Sequence, residues 1–199
     1  MKNIVHTFSR DVVSSFLDSH PGTKIAFELM AALMMHRLYE QQWQEPTMIG
    51  FYMTPKYADI LKKNTELNYD VFMEALASGI QENHQIDFVI STYDEKNGSH
   101  QEFQLKRFGM REEELDTDSL VTYLNNMWKK YSRTYAACLV AITDISQIDF
   151  PKVRDQLNKE MFPFGELLFI GVSRADQFIV AAVLPNEGWS AYDLRDVVR

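Results

Sequence analysis

The chain has almost no cysteine. Cys138 is the only one in 199 residues, so no internal disulfide can form, and a cysteine-based zinc site is beyond the chain alone. Cys138 sits in Ala-Ala-Cys-Leu-Val-Ala-Ile, where apolar neighbours disfavour the thiolate; it reads as an inert buried thiol rather than a nucleophile. Long apolar runs are also missing. None approaches the roughly 20 residues that a membrane span needs, and MKNIVHTFSRDVV lacks the continuous apolar core of a signal peptide. The expected location is the cytoplasm, with no membrane partner. Positive charge is short: 20 Lys and Arg against 28 Asp and Glu leave a net charge of −8 and a sequence pI of about 5.1. A free-standing nucleic-acid binder is more often basic, so the balance counts against tight unaided DNA binding, though not against a local basic groove. There is no P-loop, no G-x-G-x-x-G, no H-E-x-x-H and no G-x-S-x-G, and the five histidines do not cluster. Internal repeats at about 20 to 50 residues are absent too. At this length one domain with a real hydrophobic core is expected.

Against these absences, the segment from Gln85 to Gly109, QIDFVISTYDEKNGSHQEFQLKRFG, organises the rest. It predicts a β-hairpin with strands at Ile86–Thr92 and Gln101–Phe108, joined by turn-forming residues that include Asn97-Gly98. Alternation along a strand puts Ile86, Phe88 and Ile90 on one face with Phe103 and Leu105. Asp87, Val89 and Ser91 then share the other face with Glu102, Gln104 and Lys106. Charge is costly there unless something uses it.

This pattern resembles the PD-(D/E)XK nuclease superfamily, whose signature is an Asp on one strand and (D/E)-x-K, or Q-x-K in some branches, on the next. The matching residues are Asp87 within Ile-Asp-Phe-Val-Ile and Gln104-Leu105-Lys106 within Phe-Gln-Leu-Lys-Arg. The string is most similar to that of Mrr-like restriction endonucleases and related phage-defence nucleases. The resemblance covers about 25 residues and is architectural elsewhere. It implies that Asp87, Gln104 and a glutamate on the first core helix hold Mg²⁺ or Mn²⁺, and that Lys106 is catalytic. Glu28, in Phe27-Glu28 after Gly22, is the chosen helix acid and Glu74 its substitute; Glu102 could extend the site. The donor set is thin but sufficient for a hard cation that keeps several waters. Lys129, Lys130 and Arg107 are the candidate phosphate contacts.

The remainder predicts helices and strands in an order that fits. Residues 1–45 read as helical: Asp11–Ser19, then a helix from Thr23 to about Gln42 with Ile25, Ala26, Leu29, Met30, Leu33, Met34 and Leu38 as its buried stripe. Residues 46–84 read as a helical insertion with a short strand at Met48–Met53. Gly109–Thr117 is an acidic, solvated linker. Thr117–Tyr131 is a helix capped by Asp118 or Thr117, with Lys129, Lys130 and Arg133 at its C-terminal end, where cations suit the helix dipole. Tyr135–Thr143 is a strand buried on both faces. Asp149–Lys159 is a helix with Pro151 near its first turn. Glu166–Val172 and Gln177–Leu184 are strands, and Asp193–Val198 could form a terminal helix in a polar tail from 185 to 199.

The expected fold is therefore α/β: a restriction-endonuclease-like central mixed sheet flanked by helices, with the sheet core in 85–184. The expected function is a metal-dependent nuclease acting on phosphodiesters, DNA first, by resemblance in restriction or phage defence. The alternative is a non-catalytic subunit of that fold, bound to a protein partner or to its own copies, motivated by the acidic chain, the few carboxylates and the lack of a separate recognition domain.

Overall fold

A computed structural model describes residues 4–8, 24–53, 86–92, 98–108, 116–172 and 177–193. It is a mixed α/β structure. Close approaches along the chain divide it into a first unit of residues 1–102 with 198–199, and a second of 103–197. The division falls inside a strand, just after Glu102.

The first unit contains three antiparallel strands, β1 (Ile4–Phe8), β2 (Thr47–Met53) and β3 (Phe88–Thr92), with β2 paired to both neighbours. Helix α1 (Lys24–Trp43) packs on β2 and β3. Its apolar content is broader than a stripe: Leu29, Ala31, Ala32, Leu33, Met34 and Met35 are all buried, which suits a helix enclosed on most sides. It ends where Gln44 takes a positive φ of 56°, the left-handed turn that commonly closes a helix. Just beyond, the His36 Nε2–H donates to the Thr47 carbonyl at 2.8 Å, and the Thr47 hydroxyl donates weakly back to the His36 carbonyl at 3.5 Å. A carbonyl only accepts, so the imidazole proton is on Nε2. Both residues are buried, and the pair fixes where the helix meets the sheet.

The second unit is a mixed sheet of β4 (His100–Phe108, in this unit from Phe103), β5 (Ala137–Asp144), β6 (Glu166–Val172), β7 (Gln177–Leu184) and β8 (Gly188–Asp193). β4, β5 and β6 run parallel, and β6, β7 and β8 antiparallel. The parallel pairs require crossovers, which α2 (Thr117–Asn125) and α3 (Phe150–Gln156) supply. As the apolar run predicts, Ala136 through Ile142 are all buried. Gly171 of β6 is required by packing: a Cβ there would stand 2.6 Å from the Ile142 carbonyl oxygen.

Asp116 caps α2, accepting from the Ser119 N–H at 2.8 Å and from its hydroxyl at 2.6 Å. This corrects the expected cap at Asp118 or Thr117; Asp118 instead pairs with Lys152 of α3 at 2.7 Å. The helix also stops earlier than Tyr131. Asn126 turns its side chain back to the Thr122 carbonyl at 2.8 Å, and a 3₁₀ turn, Met127–Lys129, follows. Asn side chains compete in this way with the continuing helix ladder. Asn125 then bridges to the end of α3, accepting from the Asn158 N–H at 2.7 Å and donating to the Gln156 carbonyl at 3.1 Å.

These cap bonds hold the Asp116 carboxyl below its ordinary value of 3.8, the Ser119 hydroxyl contributing most. A depressed carboxyl contributes stability above its unfolded pKa and loses it as pH falls through the folded value. Asp116→Ala is therefore expected to lower the melting temperature at neutral pH, and the gap to wild type should close below about pH 4. Thermal melts of both proteins across pH 2.5 to 7 measure this; a gap that persists unchanged at the acid end assigns Asp116 no such role.

Two expectations are corrected at the ends of the described chain. Residues 4–8, read as part of a helical N-terminus, are strand β1. Residues 188–193, read as polar tail, are edge strand β8. The helices expected at Asp11–Ser19 and within 54–84, and any helix after Asp193, lie outside the described residues.

Candidate active site and its surroundings

Of the hairpin expected from the sequence, the turn residues 93–97 lie outside the described residues. β3 and β4 stand at the expected positions, and the Thr92 N–H donates to the Ser99 carbonyl at 3.0 Å across the connection. Asp87 lies one residue before β3 in the first unit and is half-buried. Glu28 is in α1 of the same unit, and its side chain is outside what the structure describes, as is all of Glu74. Gln104 and Lys106 lie in the second unit, two residues apart on one face of β4. Glu102, half-buried, precedes them on the same strand, and Arg107 points to the opposite face.

The polar face of β4 is not an open, solvated one. Gln104 is 4% exposed, on a strand where Phe103 and Leu105 are also buried. Its Cα partner on β5 is Cys138, and Lys106 pairs with Val140 and Phe108 with Ile142. Side chains from α2 and the turn after it lie over this face. Met127 Sδ is 3.9 Å from Cys138 Sγ, and the Tyr123 ring is 5.6 Å from that of Phe108. Burial, with smaller contributions from Cys138 and Tyr131, pushes the Tyr123 phenol up to about 12. Lys106 Nζ stands 4.5 Å from the centre of the Tyr131 ring, within cation–π range. Thus the centre of β4, Phe103–Leu105, is buried on both faces, with Lys106 half-buried beside it; a buried Gln there is a placement that packing alone would fill with Leu or Val.

Lys129 and Lys130 are exposed, in and just after the 3₁₀ turn. Lys130 Nζ is 5.6 Å from the Tyr131 ring that Lys106 also faces. The expected basic cluster therefore exists, but on a loop rather than at the end of a long helix. What the sequence does not disclose is Tyr131 as the ring that both lysines share. Its place beside Lys106 depends on the early stop of α2, which a pair of asparagines decides.

As metal donors, Asp87, Gln104 and Glu28 are oxygen ligands of the kind hard cations take. The enclosed amide of Gln104 fits such a role in chemical type. Among the described residues, no three His, Cys, Asp or Glu side chains gather where they could hold a metal ion; the side chains of Glu28 and Glu74 lie outside that set. A cavity of the second unit lies apart from these residues. About 390 Å³ in volume, it is lined by Ile145, Ile148, Phe150, Ile179, Ala181 and Val183, among others, with Glu187 at its edge paired to Arg154. None of Gln104, Lys106, Lys129 or Lys130 lines it. No described helix is long and apolar enough to cross a membrane. No protein-family model matches this sequence, and neither a curated protein nor a solved structure matches it.

Proposed function

We propose that the protein is a metal-dependent nuclease of PD-(D/E)XK type, in the Q-x-K variant, acting on nucleic-acid phosphodiesters in a restriction or phage-defence setting. One observation carries the reading: β4 bears Gln104 and Lys106 on one face that side chains of α2 and the turn after it partly cover, and it is followed by α2 and the parallel strand β5. Helix and buried strand after the hairpin is the order the resemblance implies; residues 54–85, between β2 and β3, lie outside the described residues.

In this reading Asp87, Gln104 and Glu28 hold Mg²⁺ or Mn²⁺, with Glu102 and Glu74 as further candidates. When bound, such an ion polarises the scissile phosphate and acidifies water. Lys106 contributes a fixed positive charge that stabilises negative charge growing on phosphate oxygens. Burial strengthens that contribution, since a charge acts further in a medium of low dielectric than in water. Tyr131 orients the lysine by its ring face. Lys129 and Lys130 contact backbone phosphates and set register rather than chemistry; Arg107, on the opposite face of β4, takes no part in that surface.

Cleavage of linear, supercoiled and single-stranded DNA and of RNA is the direct test. Activity is expected with Mg²⁺ or Mn²⁺, abolished by chelation and restored by the ion. Asp87→Ala is expected to lose about a hundred-fold or more while remaining folded. Metal-independent cleavage, or an Asp87→Ala protein as active as wild type, sinks the reading.

A second reading, a non-catalytic subunit of this fold in a larger complex, draws on the engagement of Lys106 by Tyr131: the lysine already has a structural partner. It predicts a protein that never cleaves, co-purifies with a partner, and keeps its biological role when Asp87 or Lys106 is replaced by alanine.

A further inference from the structure

We infer that the loop joining α2 to β5 is a binding surface for single-stranded nucleic acid, in which Trp128 and Tyr135 stack on bases and Lys129, Lys130 and Arg133 pair with phosphates. The inference rests on the nucleic-acid reading above and names its substrate class.

Charge is the first observation. In a chain of net charge −8, the run from Ser119 to Thr143 contains Lys129, Lys130 and Arg133 and not one Asp or Glu. All three cations are exposed. The loop is a basic surface on an acidic protein, where a polyanion would be attracted locally though repelled elsewhere.

Exposed aromatic surface is the second. Tyr135 is 96% exposed and Trp128 46%. Leaving a whole tyrosine ring in water forfeits the burial that normally stabilises aromatic residues. The backbone beneath that ring is nevertheless fixed. The Thr134 N–H donates to the Pro163 carbonyl at 2.7 Å, and the Gly165 N–H to the Ala136 carbonyl at 3.1 Å. The Thr134 hydroxyl accepts from the Ala136 N–H at 3.2 Å. Gly165 itself lies against this backbone, its missing Cβ leaving only 3.0 Å to the Tyr135 carbonyl oxygen. A bare ring on a fixed mount loses little conformational entropy when something stacks on it.

Adjacency is the third. Lys129 Nζ stands 5.9 Å from the Trp128 ring, so one ring and one ammonium are offered together. Tyr131 links the loop to β4, since Lys130 and Lys106 both face its ring. A strand lying on the loop would run toward the lysine that the proposed chemistry uses.

Aromatic faces flanked by cations suit unpaired bases, whose π-faces are available; the bases of a duplex are stacked on one another and offer no such face. The same chemistry serves single-stranded DNA and RNA, and the test includes both.

Fluorescently labelled homopolymers of about 20 nucleotides, dT and rU, and a duplex of the same length are titrated with the full chain in chelator, followed by anisotropy. Binding is thus read without cleavage. Single strands are expected to bind more tightly than the duplex. Tyr135→Ala and Trp128→Ala should each weaken binding by about five-fold to a hundred-fold, with Tyr135→Phe close to wild type. Lys129→Ala, Lys130→Ala and Arg133→Ala should each reduce the slope of log K against log salt by about 0.7. Circular dichroism controls for folding; so exposed a ring as Tyr135 has no core to disrupt. Equal or tighter duplex binding overturns the inference. So does indifference to Tyr135→Ala, or competition by polyglutamate as effective as by oligonucleotide, which would make the loop an acidic-protein site. Binding that meets these expectations in a protein that never cleaves leaves the surface assigned and removes only the nuclease reading.

Discussion

Lys106→Met is expected to be folded, nearly as stable as wild type, and inactive. Methionine keeps most of the length and apolar bulk of the lysine stem, which is half-buried on β4 and contributes packing apart from its charge. What it removes is the ammonium 4.5 Å from the Tyr131 ring. Such a contact is worth about 0.5 to 2 kcal/mol depending on desolvation, a modest part of a typical folding free energy of about 5 to 15 kcal/mol. The expected loss of activity is larger: removing one group that stabilises transition-state charge commonly costs about a hundred- to a thousand-fold. Lys106→Arg keeps the charge and can keep the ring contact. It replaces a compact ammonium with a broad planar fork, however, and should recover stability without recovering full rate. The measurements are cleavage rate at saturating Mg²⁺ and a urea melt on the same preparations. Wild-type cleavage by Lys106→Met would take the catalytic assignment away from this lysine. Wild-type stability with cleavage at background would separate the chemical role from the structural one.

How much of this was legible differs from element to element. β6 and β7 match their expected limits of Glu166–Val172 and Gln177–Leu184, because continuous β-branched and apolar runs ending in turn residues carry their own boundaries. β5 was legible for the same reason. The terminal strands were not. Ile4–Phe8 is five residues long, too short to outweigh the helical spacing that begins at Asp11, and its strand character comes from pairing with β2. β8 is a short edge strand of six residues, Gly188–Asp193, with few apolar side chains to mark it. Asn125 and Asn126 look like ordinary helix-surface residues; only the side-chain bonds to Gln156, Asn158 and Thr122 show that they end α2.

Of the candidate site, alternation alone placed Gln104 and Lys106 on one face of β4. It also suggested that this face is polar against an apolar one. In the structure the centre of β4 is buried on both faces, and Val89, on the supposed polar face of β3, is 4% exposed. A period-two pattern reports which side chains share a face; it does not report what lies over them. The cover on β4, from Tyr123, Met127 and Tyr131, depends on where a helix about 15 positions further along stops, and no local pattern in the strand encodes that.

Phe169→Ala is expected to be the most destabilising substitution considered, at about 3 to 5 kcal/mol. Phe169 is fully buried in β6, and its ring lies 5.2 Å from that of Phe150 on α3. Truncation opens a cavity in a sheet whose neighbouring strands, β5 and β7, cannot close around it, and frees α3 from its aromatic anchor. The midpoint of urea unfolding should fall markedly with little change in its slope; a shift worth under about 1 kcal/mol would show that the site relaxes or that α3 is held mainly by its polar bonds to α2. The position also connects packing to chemistry. Strand register sets Lys106, Val140, Phe169 and Ala181 in one row across the sheet, all on the same face. That is the face on which α2 and α3 lie, and the loop after α2 carries Tyr131 to Lys106. Loosening α3 at Phe169 should therefore loosen α2 through Asn125 and Asp149, and with it the ring that holds the lysine. At a temperature where Phe169→Ala is still folded, cleavage should be reduced but measurable, whereas Lys106→Met stays at background. Equal loss in both variants would indicate that the Lys106 effect arises from packing rather than from charge.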